Sequence, residues 1–177
     1  MLSIIYIIIA IIAAVVLGSF IAPKTFSVER EILINKPKAE VFSYLRSLKN
    51  QDHWSVWATR DPNMEKRLTG QDGQVGATSY WNGNKEVGEG EQEIKHIEEG
   101  KRIDTQLRFI KPFKSQSDAY FITEDTTGGT QVKWGFSGVM KPPSNLFLLL
   151  SNMDKTVGAD FEKGLSNLKT VLEAEKN

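Results

Sequence analysis

Between Met1 and Pro23 the chain carries no charged side chain, and this feature limits what its first part can become. From Leu2 to Ala22 the run is interrupted only by Ser3, Gly18 and Ser19. At about 1.5 Å per residue a helix of that length spans roughly 30 Å, the thickness of a bilayer's hydrocarbon core. A helix on the surface of a soluble protein would show one polar face, and this one shows none. A cleaved signal peptide would need a positive start, a shorter apolar run and small residues before the cut. No Lys or Arg precedes the run, and Phe20 stands third before a cut after Ala22. Residues 1–23 therefore read as an uncleaved single-pass anchor, with 2–22 in the membrane. Lys24, Arg30, Lys36, Lys38 and Arg46 follow the span, while only the α-amino group precedes it. The positive-inside tendency then expects residues 24–177 in the cytoplasm.

All 22 basic and 22 acidic side chains belong to that second unit, whose net charge is zero. A nucleic-acid binder normally shows a basic excess or stripe, so nucleic acid is excluded as a partner. With no cysteine in the chain, a disulfide framework, a cysteine metal cluster and a thiol nucleophile are excluded too.

Along the second unit the periodicity changes from strand to helix and back. Phe26, Val28, Arg30, Ile32 and Ile34 share one parity and predict a strand. Asn35-Lys36-Pro37 then starts a short helix carrying Val41, Leu45 and Leu48. Six further strands are expected at 65–70, 77–82, 88–98, 102–110, 115–124 and 130–140. Asp72-Gly73, Asn82-Gly83-Asn84, Glu99-Gly100, Lys111-Pro112 and Gly128-Gly129 punctuate them with turn residues suited to antiparallel hairpins. No connection is long enough for a parallel crossover, so the sheet should be an antiparallel meander. Pro142-Pro143-Ser144 ends the last strand and offers Ser144 as a cap for a helix from Asn145 to about Glu175. Leu150, Met153, Val157, Phe161, Gly164, Leu165 and Leu168 fall in one arc of that helix. The fold class is α+β, with about seven strands curved around a long C-terminal helix.

This order of elements resembles the helix-grip fold of the SRPBCC (START-like) superfamily, and its polyketide cyclase/dehydrase-like branch in particular. The residues carrying the resemblance begin with Arg30-Glu31-Ile32-Leu33-Ile34-Asn35-Lys36-Pro37 leading into Val41-Phe42, followed by Trp54-Ser55-Val56-Trp57. Asp61-Pro62-Asn63-Met64 and Gly88-Glu89-Gly90 come next. Asn152-Met153-Asp154-Lys155 and Phe161-Glu162-Lys163-Gly164-Leu165 complete the set. The resemblance covers about Phe26 to Lys169. It implies a cavity between sheet and C-terminal helix that holds a lipid, a polyketide or another apolar small molecule; no metal and no cofactor are expected. It carries over no catalytic set, because fold alone does not supply one.

The side chains narrow the chemistry further. Gly88-Glu89-Gly90 lacks the third glycine of a dinucleotide loop, and no phosphate-binding Gly-Lys-Ser/Thr occurs. Gly135-Phe136-Ser137-Gly138 has the wrong spacing for a nucleophile elbow. The two histidines, His53 and His96, form no metal-binding pair. Asp154 is the only charge inside the apolar arc. Facing a cavity, it would have a raised pKa and could act as a general acid or ligand anchor. If Asn152 caps a fresh helix segment instead, Asp154 belongs to its first turn. His96 shares parity with Gln92 and Ile94 and is a second candidate for proton transfer. Gly164 either leaves volume for a ligand or lets the helix pack closely on the sheet. The aromatic set includes Trp54, Trp57, Tyr80, Trp81, Phe109, Tyr120, Phe121, Trp134, Phe136 and Phe161. Of these, Trp54, Trp57, Tyr80, Phe109, Tyr120, Trp134, Phe136 and Phe161, with Met153, Val157 and Gly164, are the candidate ligand-binding residues, since pockets are mostly apolar with few polar anchors. Three readings follow: a membrane-anchored binder of an apolar molecule or lipid, a cyclase/dehydratase-like enzyme using Asp154 or His96, and a structural module with a filled core.

Overall fold

The computed structural model describes Leu2–Ala174; Met1 and residues 175–177, which include the expected helix end at Glu175, lie outside the described residues. The uncharged run forms α1 (Leu2–Ile21), the one helix among the described residues long and apolar enough to cross a membrane. Then come β1 (Thr25–Ile34), α2 (Lys38–Arg46), a 3₁₀ turn (Lys49–His53) and α3 (Val56–Arg60). The meander follows as β2 (Glu65–Thr69), β3 (Thr78–Asn82), β4 (Glu89–Glu98), β5 (Arg102–Lys111), β6 (Ser115–Thr126) and β7 (Gly129–Val139). A 3₁₀ turn (Ser144–Leu146), α4 (Phe147–Leu150) and α5 (Met153–Ala174) end the chain.

All seven strands make one antiparallel sheet in the order β1-β7-β6-β5-β4-β3-β2. Only β1 is out of sequence, pairing Thr25 with Val139 and Ile34 with Thr130 along the last strand. Consequently the start of β1, the end of β7, the β5–β6 turn and the β3–β4 turn share one end of the sheet, next to α1. The helix α5 runs along the inner face, from Met153 at that end to Glu173, whose carboxylate accepts the Asn35 N–H at the other. Val28, Ile34, Val132, Trp134 and Phe121 from the sheet meet Phe161, Leu165, Leu168 and Leu172 from α5. Val41, Phe42 and Leu45 of α2 complete the same core.

The single helix expected from Asn145 is broken. Ser151 is extended (φ −116°, ψ 122°), and Asn152 restarts the chain by accepting the Lys155 N–H at 2.9 Å. Ser144 is not a side-chain cap; it opens the 3₁₀ turn after Pro143. The break resets the helical phase, so Leu150, counted in the buried arc, is exposed. Asn145 is fully buried and donates to the carbonyls of Ser19 (2.7 Å) and Ala22 (3.2 Å), tying this segment to the last turn of α1. It satisfies carbonyls that a helix end otherwise leaves open.

Gly164 determines how near α5 can approach. A Cβ there would come within 2.9 Å of Trp134 Cζ3, and Trp134 cannot retreat because rings surround it. Gly164→Leu is expected to destabilise the domain by about 2 kcal/mol, in the usual range for overpacking. Urea unfolding followed by circular dichroism should show a lower midpoint with an unchanged slope.

Candidate functional site

Alternation brings Val132, Trp134 and Phe136 to the inner face of β7, where Trp134 stacks on Phe161 of α5 (centroids 3.8 Å, planes 5° apart). Trp54 meets the edge of Trp134 at 5.1 Å and Trp57 does so at 5.9 Å. Phe121 and Phe136 complete the cluster, 5.4 Å from Trp134 and 6.4 Å from Phe161. Tilted and edge-on contacts of this kind add to the burial itself. Trp54, Trp57, Trp134, Phe136, Phe161 and Gly164 thus come together as the sequence suggests, with Met153 and Val157 packed against them. Their rings occupy the space between sheet and α5. Gly164 leaves no ligand volume, because Trp134 fills the place of its missing side chain. The Trp54 indole N–H is buried without a hydrogen-bond partner among the described residues.

Three candidates lie elsewhere. Tyr120 sits between buried Ala119 and Phe121, so alternation turns it to the outer face, over its partner Gly135. Its hydroxyl donates to Glu29, and Arg102 stacks on its ring at 4.3 Å. Burial first, then the Glu29 carboxylate, push its pKa up to about 12. Tyr80 also faces outward, under Arg67 at 4.4 Å, and donates to Glu89 at 3.0 Å. His96 is exposed beside Asp104 (3.3 Å) because the β4–β5 register slips between Ile94 and His96. A one-residue bulge moves every later side chain to the opposite face, so shared parity with Ile94 does not hold beyond it. Phe109 does face inward, against Trp81 at 6.0 Å, which shares that face.

Asp154 belongs to the first turn of α5 and is largely exposed rather than enclosed between sheet and helix. Arg30, on the inward parity of β1, grips it with two bonds, Nη1 to Oδ1 (2.8 Å) and Nη2 to Oδ2 (3.1 Å). The same guanidinium reaches the Asp154 carbonyl at 3.0 Å and Glu162 at 2.6 Å. Gly158 makes room for it, since a Cβ there would overlap the guanidinium. The Arg30 hydrogen bond holds the Asp154 carboxyl below the usual carboxylate range, the reverse of the shift a cavity would impose. Held in this way it is an ionised carboxylate, an acceptor and not a proton donor. Arg30 was legible as a charge among inward positions of a strand, a pattern that calls for a partner.

The open concavity lies at the α1 end of the sheet. A groove of about 440 Å³ runs between the start of β1 and the α4–α5 link. Pro23, Phe26, Leu148, Leu149, Leu150 and Met153 supply its apolar walls, with Ser27, Ser151, Asn152 and Asp154 as polar points. Of the sequence candidates, only Met153 and Asp154 line it. Around the sheet edge a second concavity of about 340 Å³ is bounded by Thr25, Ser27, Asp118, Ser137 and Val139. Among the described residues no group of three or more His, Cys, Asp or Glu side chains is placed to hold a metal ion.

A family model described as polyketide cyclase / dehydrase and lipid transport matches residues 25–173. Among solved structures, protein MLL2253 from Mesorhizobium loti aligns with a TM-score of 0.62 at 15% identity, over 86% of this chain and 100% of that one. A protein from Rhizobium leguminosarum gives 0.63 at 16% identity, over 86% and 97%. The di-domain ARO/CYC StfQ from the steffimycin biosynthetic pathway gives 0.61 at 12%, over 85% of this chain and 51% of that one. At such identities the likeness is one of fold. No curated protein matches the sequence.

The Arg30–Asp154 pair generates a pH dependence of known sign. A carboxylate whose folded pKa is depressed stabilises the fold above its unfolded pKa, and loses that contribution as pH falls through the folded value. Asp154→Asn should lower the melting temperature at neutral pH. The gap from wild type should shrink below about pH 4, where an unfolded aspartate begins to protonate. A gap independent of pH in thermal melts would show that the pair contributes nothing.

Proposed function

The chain belongs to the polyketide cyclase / dehydrase and lipid transport family, and from that premise we propose that it is a membrane-anchored binding protein for a hydrophobic small molecule or lipid. Residues 1–23 are the anchor and 24–177 the binding unit. The observation that carries this reading is the open groove at the end of the sheet where α1 joins, lined by apolar and polar residues together, whose volume of about 440 Å³ suits a small ligand. The ligand lies there rather than deeper between sheet and α5, where the aromatic cluster is already packed. Phe26, Leu148 and Met153 supply apolar area, and Ser151 and Asn152 can orient a polar head.

The union of Asn145 with α1 supports an anchor that stays attached. Cleavage after Ala22 would remove both carbonyls that its buried amide satisfies, and a buried amide without partners is costly. It would also expose Leu146, which packs beside Gly18. Anchoring holds the groove at the bilayer and raises its effective concentration toward membrane-dissolved ligands. A cyclase/dehydratase-like activity would need a proton donor in the groove, and Asp154, whose pKa the Arg30 hydrogen bond lowers further, is poorly suited to be one.

The full chain, extracted from membranes with its native lipid in nanodiscs, is expected to carry a bound apolar molecule in native mass spectrometry. Its intact mass should retain residues 1–22. Ser151→Trp, which fills the groove, should cut occupancy about tenfold, equivalent to roughly 1.4 kcal/mol. An empty wild-type protein whose melting temperature is unmoved by a lipid and polyketide panel would favour the filled structural module instead.

A further inference from the structure

The segment that walls the groove leaves large apolar side chains in the open. Phe147 is 53% exposed, Leu149 61% and Leu150 89%, although they follow one another within seven residues of the buried Asn145. Phe113, at the tip of the β5–β6 turn, is 80% exposed at the same end of the sheet. A soluble protein rarely leaves such a group of side chains to water.

The position of α1 indicates what covers them. Leu146 approaches α1 at Gly18, within 3.7 Å of where a Cβ there would lie. Gly18 is four residues inside the end of the run at Ala22, roughly 6 Å along the helix axis. The Ser144–Leu150 segment therefore lies at the depth of the last turn of α1, and Asn145 fixes it there through Ser19 and Ala22. The turns around it, 22–28, 109–117 and 138–153, hold Lys24, Lys111, Lys114 and Lys141; Lys111 is paired with Glu89 (2.5 Å), and the β3–β4 turn at the same end adds Lys85 and Glu86. The turns at the opposite end of the sheet carry both signs, with Glu98, Glu99, Glu124 and Asp125 paired with Lys101, Arg46, Lys133 and Lys38.

We propose that Phe147, Leu149, Leu150 and Phe113 dip into the acyl–headgroup boundary of the leaflet that α1 leaves, with Lys24, Lys114 and Lys141 against anionic headgroups. The depth fits the roughly 5–10 Å reached by interfacial helices, and lysines near an anionic leaflet add attraction. The domain is then seated on the bilayer by two rigidly joined elements, and the groove opens at the level of the acyl chains. A ligand can enter laterally from the leaflet without crossing water. This inference rests on the reading of α1 as a membrane span.

Because the chain has no cysteine, single sites take an environment-sensitive fluorophore cleanly. Ile9→Cys, Leu150→Cys and Thr127→Cys, each in the full chain, report on the span, the patch and the far end of the sheet. In vesicles of phosphatidylcholine and phosphatidylglycerol, the labels at 9 and 150 should be blue-shifted. The label at 150 should be quenched severalfold by lipids spin-labelled near the headgroup, and the one at 127 should stay aqueous. Lipid burial at 9 with an aqueous label at 150 overturns the seating while leaving the anchor. Aqueous emission at both overturns the anchor and the seating together. A blue shift at 150 without lipid quenching assigns the patch to a protein partner, a second copy included, and overturns the proposal. As a second measure, Leu149→Ser with Leu150→Ser should shift a label at Phe113→Cys toward water; no change would mean that the two loops do not share one lipid contact.

Discussion

The close approach of α5 to the sheet governs the rest of the molecule. It depends on two glycines on the side of the helix that meets the sheet, Gly158 beside the Arg30 guanidinium and Gly164 beside Trp134. Without side chains there, Phe161 can lie flat on Trp134, and the other rings close around the pair. Glycine in a helix costs about 1 kcal/mol relative to alanine, and the stacked aromatic core and the Arg30 clamp offset that cost. The same approach closes the central part of the space between sheet and helix. What remains open is displaced to the end of the sheet, where α5 begins and the chain leaves α1.

That end is where the topology gathers the chemistry. Because β1 pairs with β7, the strand that follows α1 lies beside the strand that precedes the Ser144–Leu150 segment. The two parts of the chain beside the last turn of α1, far apart in sequence, are thereby held together, and Asn145 joins them. The break at Ser151 turns Leu150, which an unbroken helix would place in the buried stripe, into part of an exposed wall. Polar devices on the outer face, Tyr120 with Glu29 and Tyr80 with Glu89, stiffen the meander and take no part in the groove.

Much of this was legible residue by residue. Strand parity correctly turned Trp134 and Phe136 toward the helix, because a sheet with one packed face enforces alternation. The same rule applied to Ala119-Tyr120-Phe121 would have sent Tyr120 outward, since its two neighbours are the buried ones. His96 was beyond that reach, because a bulge leaves no mark in a parity count. Asp154 was open to two readings, and the capping bond from Asn152 settled it by restarting the helix. The phase of α5 therefore could not be projected back to Leu150.

By itself the sequence determined that residues 2–22 form an uncharged helix of bilayer length and that residues after them form an antiparallel meander closed by an amphipathic helix. Both follow from local periodicity and from where charge and turn residues fall. Only the tertiary structure decided that the expected interior is filled by rings, that Arg30 pairs with Asp154, and that the open groove lies beside α1. Those outcomes depend on distances between residues more than a hundred positions apart, such as Arg30 to Asp154 and Ser19 to Asn145. Periodicity reports which face a side chain takes, and carries no information about which partner waits there.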